Sequence, residues 1–354
     1  MNPVQFVLPD VVHDTAQPSG GNTYDRRISL GLARLGFPIW ERVVPGTWPD
    51  PDEAALAVLA EVLSTMPDRT VVLLDGMIAA AASQVLVPEA SRLRLVVLVH
   101  MPFGAATDED GLRARQHESA VLAVSNSVIT TSNWTREWLV SAYGLAPARV
   151  HVAEPGVDMA TSADGSKDGG KLLCVAALTP GKGHADLVTA LDVIRDLPWT
   201  LSCVGSLERA PVNVEMLRRQ IAELGLGDRI TLHGARTGQH LSRHYRTADL
   251  LVLPSHAETY GMVVTEALAH EIPVVATDVG GVPDALGRTR DGARPGLLVP
   301  PHDPEALAGA LRTWLTEPVV RRELRLAAGR RRTTLTGWGD TSRRLARVLQ
   351  GAAA

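Results

Sequence analysis

The stretch "LLVLPSHAETYGMVVTEALAHEIPVVATDV", residues 250–279, decides the fold class because it alternates two short apolar runs with one helical run. The runs "LLVLPS" and "PVVATDV" are nearly continuous in apolar residues, which is typical of parallel strands covered on both faces. Between them, "GMVVTEALA" predicts an apolar helix that begins near residues 260–261. A strand–helix–strand unit of this kind predicts a parallel α/β sheet.

The same alternation extends through the rest of the chain. Near-continuous apolar runs predict four strands in the first half, at 4–9, 70–76, 94–100 and 127–132. From residue 171 the alternation starts again with "KLLCVAAL", "TLSCVGSL" and "RITLHGA", continues through the opening stretch and ends with "GLLVP". Two such series predict two Rossmann-like doubly wound domains.

A segment without hydrophobic periodicity separates the two series. Residues 154–170, "EPGVDMATSADGSKDGG", are rich in Gly, Ser and Asp, which predicts a linker or an exposed loop. We therefore expect an N-terminal domain over 1–160 and a C-terminal domain over 168–332. Three helical segments end the chain, and the last, 338–354, is expected to pack back on the N-terminal domain.

Composition restricts the class of protein. A chain of 354 residues is too long for one ordinary core, and its 45% hydrophobic residues supply enough apolar surface for two. Residues 1–160 carry 11 arginines, no lysine and 18 acidic residues, which disfavours nucleic acid and anionic lipid as partners. Two cysteines in apolar runs, and the lack of a signal peptide pattern or an apolar run of about 18 residues, predict a reduced cytoplasmic protein without a stable membrane anchor.

Two glutamates in the opening stretch predict a ligand site. Glu258 lies in the turn before the helix, and Glu266 lies about two turns into an apolar helix. A charged group in apolar surroundings costs several kcal/mol unless it has a partner. Carboxylates accept the paired hydrogen bonds that vicinal hydroxyls of a sugar or a ribose offer. The free amides of residues 261–263 at the helix start suit a phosphate. Together these groups fit a nucleotide sugar.

Three other strand-to-helix junctions carry candidate binding residues, since ligands bind beyond the carboxyl ends of the strands in open α/β sheets. Gly20 and Gly21 in "SGGNTYDR" permit close approach of a phosphate, with Asn22 or Thr23 expected to cap the helix. His100 ends a buried strand in "VVLVHMP". Lys182, one of only three lysines, lies between two glycines in "PGKGH".

We predict no metal or other cofactor. His240 and His244 have helical spacing compatible with a metal, but no carboxylate or cysteine completes the set, so a solvated helix face is the expected role. The acidic runs at 50–52 and 108–110 lie where acidic residues also cap helices.

Taken in their order along the chain, these motifs resemble the signature of family 4 retaining glycosyltransferases of the GT-B fold. The matching segments cover nearly the whole chain: "SGGNTYDR", "VLVHMP", "PGVD" (155–158), "PGKGH", the Glu258-x7-Glu266 pair and "PVVATDVGGVPD" (273–284). The resemblance implies two Rossmann-like domains that face each other across a cleft, with the donor held mainly by the second. It also implies a bacterial, metal-independent hexosyltransferase whose donor is a UDP- or GDP-sugar.

The resemblance implies a role for each candidate residue of the second domain. Glu258 would bind the hydroxyls of the donor sugar, and Glu266 the ribose hydroxyls. Lys182 would bind the diphosphate. The amides of Gly261, Met262 and Val263 would contact sugar and phosphate. Arg236 would contact the base.

In the first domain, the resemblance implies that Gly20 and Gly21 approach the diphosphate and that His100 contacts the transferred sugar near the anomeric carbon. His100, Lys182 and Glu258 are the expected catalytic residues. Retention in such enzymes is explained by front-face attack, in which the leaving diphosphate takes the proton of a small soluble acceptor. Electrostatic stabilisation of the leaving group would then carry most of the catalysis.

The chain departs from the family pattern at two positions. Ala177 occupies the place of an arginine five residues before Lys182, so a second cation on the diphosphate would have to come from elsewhere, for example Arg209. Glu271 stands where a glycine usually ends the helix. A GT-B nucleotide-sugar epimerase and a non-catalytic nucleotide-sugar-binding protein are the alternatives. A Rossmann oxidoreductase is disfavoured because the sequence lacks G-x-G-x-x-G after its first strand.

Overall fold

The computed structural model describes residues 3–14 and 18–353 and divides the chain into two compact units. The first unit consists mainly of Ser19–Gly156 together with the first strand and the C-terminal helix, and the second mainly of Val157–Thr336. Each unit contains one six-stranded sheet in which all the paired strands run parallel. Two parallel sheets with flanking helices are the architecture that the sequence predicts.

The sheet of the first unit has the strand order β2-β1-β3-β4-β5-β6. Its central strands are buried along their whole length, because helices cover both faces. The strands are β1 (Val4–Pro9), β2 (Ile39–Val44), β3 (Val71–Asp75), β4 (Arg94–Val99), β5 (Ser127–Thr130) and β6 (Val150–Val152). The helices are α1 (Gly20–Arg34), α2 (Glu53–Ser64), α3 (Gly76–Ala79), α4 (Ser83–Glu89), α5 (Glu109–Val124) and α6 (Asn133–Tyr143).

The sheet of the second unit has the strand order β12-β11-β10-β7-β8-β9. Its chain order reverses between β7 and β10, which is where open α/β sheets bind ligands. The strands are β7 (Lys171–Val175), β8 (Thr200–Val204), β9 (Ile230–Leu232), β10 (Leu250–Leu253), β11 (Val274–Thr277) and β12 (Gly296–Val299). The helices are α7 (His184–Val193), α8 (Pro211–Glu223), α9 (Gly238–Thr247), α10 (Met262–Ala269), α11 (Val282–Leu286), α12 (Pro304–Thr316) and α13 (Pro318–Arg332).

The C-terminal helix α14 (Trp338–Ala353) belongs to the first unit. Its buried Leu345 and Leu349 join the apolar cluster that contains Ile28 of α1. Thr341 donates a hydrogen bond to the carbonyl oxygen of Glu154 at 2.8 Å. The last helix therefore closes one face of the N-terminal sheet.

The segment between the two series has no helix or strand over residues 154–170, but buried contacts hold part of it. The Asp249 carboxylate accepts hydrogen bonds from Ser166 Oγ at 2.6 Å and from the amide of Lys171 at 2.9 Å. Arg325 pairs with the same carboxylate at 2.9 Å. The end of the linker is thus fixed to the second unit immediately before β7.

Helix α1 begins at Gly20, three or four residues earlier than a cap at Asn22 or Thr23 predicts. Ser19 caps the helix by accepting a hydrogen bond from the amide of Asn22, so the prediction that Asn22 or Thr23 is the cap is wrong. Gly20 and Gly21 consequently lie in the first helical turn. A serine just before a helix can accept a hydrogen bond from the backbone amide of the third helical residue. The side chain of Asn22 is therefore not needed as a cap, and it donates a hydrogen bond to the carbonyl oxygen of Val11.

None of the helices within the described residues combines the length and the apolar character that crossing a bilayer requires.

Candidate active site

Glycines bring three loops of the second unit into backbone contact at the carboxyl ends of β7, β10 and β11. Gly183 has a φ of 66°, and a Cβ atom there would collide with the carbonyl oxygen of Pro254. Gly280 has a φ of 52°, and a Cβ atom there would collide with the carbonyl oxygen of Glu258. Glycine alone tolerates both the left-handed backbone and the close approach. These two positions therefore fix the loop that carries Glu258 from both sides.

Lys182 and Glu258 form an ion pair at the centre of this arrangement. Lys182 Nζ lies 2.6 Å from Glu258 Oε1, although the residues are 76 positions apart in sequence. Ser255 Oγ donates to the same carboxylate oxygen at 2.8 Å, and Ser255 is fully buried. The side chain of Glu258 is 13% exposed and that of Lys182 31%. The structure thus brings together two of the three predicted catalytic residues and adds Ser255, which was not predicted from the sequence.

Helix α10 starts directly after this loop. Gly261 precedes it with a φ of 88°, and Met262 and Val263 occupy its first two positions. The first amides of an α-helix have no partner within the helix, and the helix dipole favours negative charge beside them. The start of α10 therefore offers positively polarised donors three to five residues after Glu258.

Glu266 is the fifth residue of α10, so it lies little more than one turn into the helix rather than two. Tyr245 of α9 donates a hydrogen bond to Glu266 Oε2 at 2.7 Å. Burial, and then the charge of Glu266, raise the pKa of Tyr245 well above its ordinary value. The tyrosine therefore remains a donor at neutral pH and positions the carboxylate.

Arg236 lies in the loop after β9, the edge strand of the sheet, and is exposed. Burial, and then the Arg236 charge, lower the pKa of His233. The pKa of His244 is lowered first by burial, then by the charge of the neighbouring His233 and, to a smaller extent, by the charge of Arg236. His244 packs against His233 with ring centroids 4.5 Å apart.

In the first unit, His100 follows β4 and forms a cluster with two buried acids. Its Nε2 lies 2.8 Å from Asp25 Oδ1 and 3.8 Å from Asp75 Oδ2. A Cβ atom on Gly21 would lie 3.4 Å from the imidazole ring, and the ring of Tyr24 packs edge-on at a centroid distance of 5.1 Å. Gly21 has no positive φ, and a Cβ atom there would make only an ordinary van der Waals contact with His100, so neither backbone geometry nor packing requires glycine at this position.

The pKa values of this cluster are coupled through burial and charge. Burial alone would lower the pKa of His100, but the charge and hydrogen bond of Asp25, with the charge of Asp75, outweigh it and raise the pKa to about 9. Burial, and then the charge of Asp25, raise the pKa of Asp75 to about 8. His100 therefore carries a positive charge at neutral pH. Neither acid was predicted from the sequence, although Asp25 lies in "SGGNTYDR" and Asp75 ends the buried strand β3.

Comparison with known families gives one match in each unit. The sequence model described as "Glycosyltransferase Family 4" matches residues 55–161, and the one described as "Glycosyl transferases group 1" matches residues 169–317. The chain belongs to the family 4, group 1 glycosyltransferases with the GT-B fold.

Several relatives of this chain are named D-inositol 3-phosphate glycosyltransferase. A D-inositol 3-phosphate glycosyltransferase from Kineococcus radiotolerans is 33% identical over 248 residues, which are 64% of this chain and 57% of that protein. One from Thermomonospora curvata is 33% identical over 271 residues, 70% of this chain and 61% of that protein. The chain thus spans less than two thirds of the length of either relative.

Solved structures of glycosyltransferases share the fold over almost the full length. Sucrose-phosphate synthase from Thermosynechococcus elongatus has a TM-score of 0.79 at 21% identity, with 98% of both chains covered. HepE from Anabaena, in complex with UDP and glucose, has a TM-score of 0.74 at 18% identity, with 98% of this chain and 99% of that one covered.

The two departures from the glycosyltransferase family pattern have structural counterparts. Glu271 adopts a φ of 62°, a left-handed conformation that glycine adopts freely, and its carboxylate pairs with Arg332 at 2.5 Å. A turn of the kind that favours glycine is therefore present at this position. The other departure is Ala177. A Cβ atom on Gly205 would collide with the carbonyl oxygen of the preceding residue, Ala176. The β8–α8 loop, which carries the exposed Arg209, therefore lies against the segment that contains Ala177.

Proposed function

We propose that this chain is a retaining glycosyltransferase that transfers a hexosyl group from a UDP- or GDP-sugar to a small soluble acceptor in the cytoplasm. The observation that carries the proposal is the Lys182–Glu258 pair, 2.6 Å apart, beside the start of α10. A nucleotide sugar has a diphosphate for the ammonium group and the helix amides, and hydroxyls for the carboxylate. Tyr245 positions Glu266 as a further acceptor of hydrogen bonds, for the ribose hydroxyls.

The proposed chemistry follows from the charges at this site. The bond between the anomeric carbon and the diphosphate breaks while the acceptor oxygen bonds to the same face of the sugar, so the configuration is retained. The departing diphosphate oxygen takes the acceptor's proton. Lys182 and the amides of α10 stabilise the developing negative charge, which is the largest catalytic contribution in such sites. We propose no metal for this step.

Glu258 acts in this scheme as a hydrogen-bond acceptor for the sugar. Its Oε1 accepts from both Lys182 and Ser255 in the structure, which fixes the carboxylate in one orientation. Donor binding would replace the internal Lys182 contact with contacts to phosphate and sugar. Arg209, on the loop beside Ala177, is the cation that we propose in place of the family arginine.

The first unit is the proposed acceptor domain. Glu118 accepts hydrogen bonds from the amides of Phe103 and Gly104 at 3.3 and 3.2 Å, which fixes the loop immediately after His100. We propose that the segment before α1, of which residues 15–17 lie outside the described residues, also contributes to the acceptor site. D-Inositol 3-phosphate is the first acceptor to test because it appears in the names of the relatives, and UDP-glucose the first donor because HepE binds UDP and glucose.

The test measures nucleoside diphosphate release from UDP-glucose and GDP-glucose, with and without D-inositol 3-phosphate, and determines the anomeric configuration of the product by NMR. Lys182→Ala should lower turnover by about 10- to 150-fold, the equivalent of a charged hydrogen bond of about 1.5–3 kcal/mol. Lys171→Ala is the matched control, because Lys171 is exposed at the first position of β7.

Three outcomes would contradict the proposal. Equal turnover of the Lys182→Ala and Lys171→Ala variants would remove Lys182 from the site. Donor binding without release of nucleoside diphosphate across a panel of acceptors would favour a non-catalytic binding protein. Conversion of the donor sugar without an acceptor would favour an epimerase.

A further inference from the structure

Three side chains that can ligate a metal ion, one from a helix and two from loops, meet in the second unit. Asp186 lies in the first turn of α7, His256 in the loop between β10 and α10, and His302 in the turn between β12 and α12. One ligand atom from each lies within 4.8 Å of the other two. Asp186 Oδ2 is 2.8 Å from His256 Nε2, and the two imidazole centroids are 3.8 Å apart. We propose that these three residues form a binding site for a divalent transition metal ion of the zinc type.

The separations suit a tetrahedral ion after a small adjustment. Zinc bonds to nitrogen and carboxylate oxygen are about 2.0–2.2 Å long, so two ligands of a tetrahedral site lie about 3.3–3.5 Å apart. The Asp186–His256 contact would have to widen by about half an ångström. Both side chains are partly exposed, at 29% and 25%, which allows this movement and gives an ion access from solvent.

An ordinary surface ion pair between Asp186 and His256 explains only part of the arrangement. Such a pair contributes about 0–1 kcal/mol and does not require a second imidazole beside it. His302 has a φ of 56°, a left-handed conformation that is unfavourable for a residue with a side chain and that glycine adopts freely. A metal ion shared by both imidazoles would offset the cost of keeping histidine at this position.

The donor set selects the class of ion. Two imidazoles and one carboxylate suit Zn²⁺, Co²⁺ and Ni²⁺, whereas Mg²⁺ and Ca²⁺ prefer sites made of oxygen alone. Three protein ligands leave a fourth position for water. A Cβ atom on Gly183 would lie 3.3 Å from His256 Nε2, so the glycine that permits loop contact also leaves space beside this ligand.

The bound ion would tie together the loops after β7, β10 and β12. His256 is two residues before Glu258, so the ion would restrain the loop that carries the carboxylate, and neither Lys182 nor Glu258 is among its three proposed ligands. The proposal does not depend on the proposed transferase activity. Its expected effects are metal binding and a higher unfolding temperature.

The experiment uses the untagged full chain after chelator treatment, titrated with Zn²⁺ in a calorimeter and with Co²⁺ by visible absorption. We expect one equivalent of each ion, and absorption bands typical of tetrahedral Co²⁺. The decisive variant is His302→Gly, because glycine suits the backbone at position 302 and keeps the metal-free protein folded. We expect His302→Gly to weaken Zn²⁺ binding at least about tenfold while leaving the metal-free unfolding temperature unchanged or higher.

Two control variants test other histidines of the same unit. His240→Gln removes an exposed histidine of α9, and His244→Gln removes one member of the His233–His244 pair. Both should bind Zn²⁺ as the unchanged protein does. The proposal is overturned by absence of Zn²⁺ binding in the unchanged chain, by equal affinity of His302→Gly, or by loss of binding in His244→Gln alone.

Discussion

The Asp25→Asn substitution should lower the pKa of His100 from about 9 toward or below its ordinary value of 6.5. Burial lowers this pKa, and the charge and hydrogen bond of Asp25 are the main opposing effects. The amide that replaces the carboxylate would keep an oxygen near His100 Nε2 but remove the negative charge. Asp75, at 3.8 Å, would then be the remaining acid beside His100, and its own pKa would fall because the Asp25 charge that helps to raise it is gone.

The magnitude follows from the pKa values. A rise from 6.5 to about 9 corresponds to about 3 kcal/mol of preferential stabilisation of charged His100 in the folded state, since one pKa unit equals about 1.36 kcal/mol. Because this pKa is raised on folding, the contribution is fully present below pH 6.5 and is lost as the pH rises through about 9. The raised pKa of Asp75 also makes the free energy of unfolding fall as the pH rises, between its ordinary pKa of 3.8 and about 8.

The assay follows the imidazole resonances of His100 by NMR from about pH 5 to 10, a range that brackets both its ordinary and its raised pKa. A His100→Gln variant assigns these resonances. Denaturant unfolding over the same pH range measures stability. The free energy of unfolding should fall from pH 6.5 to about 9 in the unchanged protein and depend less on pH in Asp25→Asn. Asp75→Asn is the matched control, because it makes the same chemical change at 3.8 Å instead of 2.8 Å and keeps the closer pair.

Two results would refute this reasoning. His100 titrating near pH 6.5 in the unchanged protein would show that Asp25 does not offset the effect of burial. Equal decreases of the His100 pKa in Asp25→Asn and Asp75→Asn would show that the hydrogen-bonded contact has no special weight.

Two further predictions concern the second unit. Gly280→Ala should destabilise the protein by more than about 1 kcal/mol and weaken donor binding, because its Cβ atom would collide with the Glu258 carbonyl oxygen at a φ of 52°. The control is Gly309→Ala inside α12, where no neighbouring heavy atom lies within 4 Å of the added Cβ, and it should stabilise the protein by about 0.5–1 kcal/mol. Thermal unfolding and donor calorimetry compare the two variants. Similar effects of both would contradict the loop packing at Gly280. Glu266→Ala should reduce donor affinity about 10-fold or more in calorimetry, whereas unchanged affinity would count against a ribose contact at this carboxylate.

The strands that the sequence did not reveal are both at sheet edges. The β2 strand (Ile39–Val44) is exposed over four of its six residues, and β6 (Val150–Val152) has only three residues. The exposed residues of β2 and the shortness of β6 leave these two strands without the continuous apolar run that marked the other ten, which include the edge strands β9 and β12 of the second sheet.

The sequence by itself determined the fold class and the individual candidates Lys182, Glu258 and His100, because apolar runs and strand-to-helix junctions depend on neighbouring residues in the chain. Only the tertiary structure decided which of them meet. Lys182 and Glu258 pair because β7 and β10 are adjacent in the sheet although β8 and β9 separate them in sequence. Likewise, Asp25 reaches His100 because β1 and β4 flank β3 in one sheet. Strand order and loop packing set these distances, and local sequence patterns do not encode strand order.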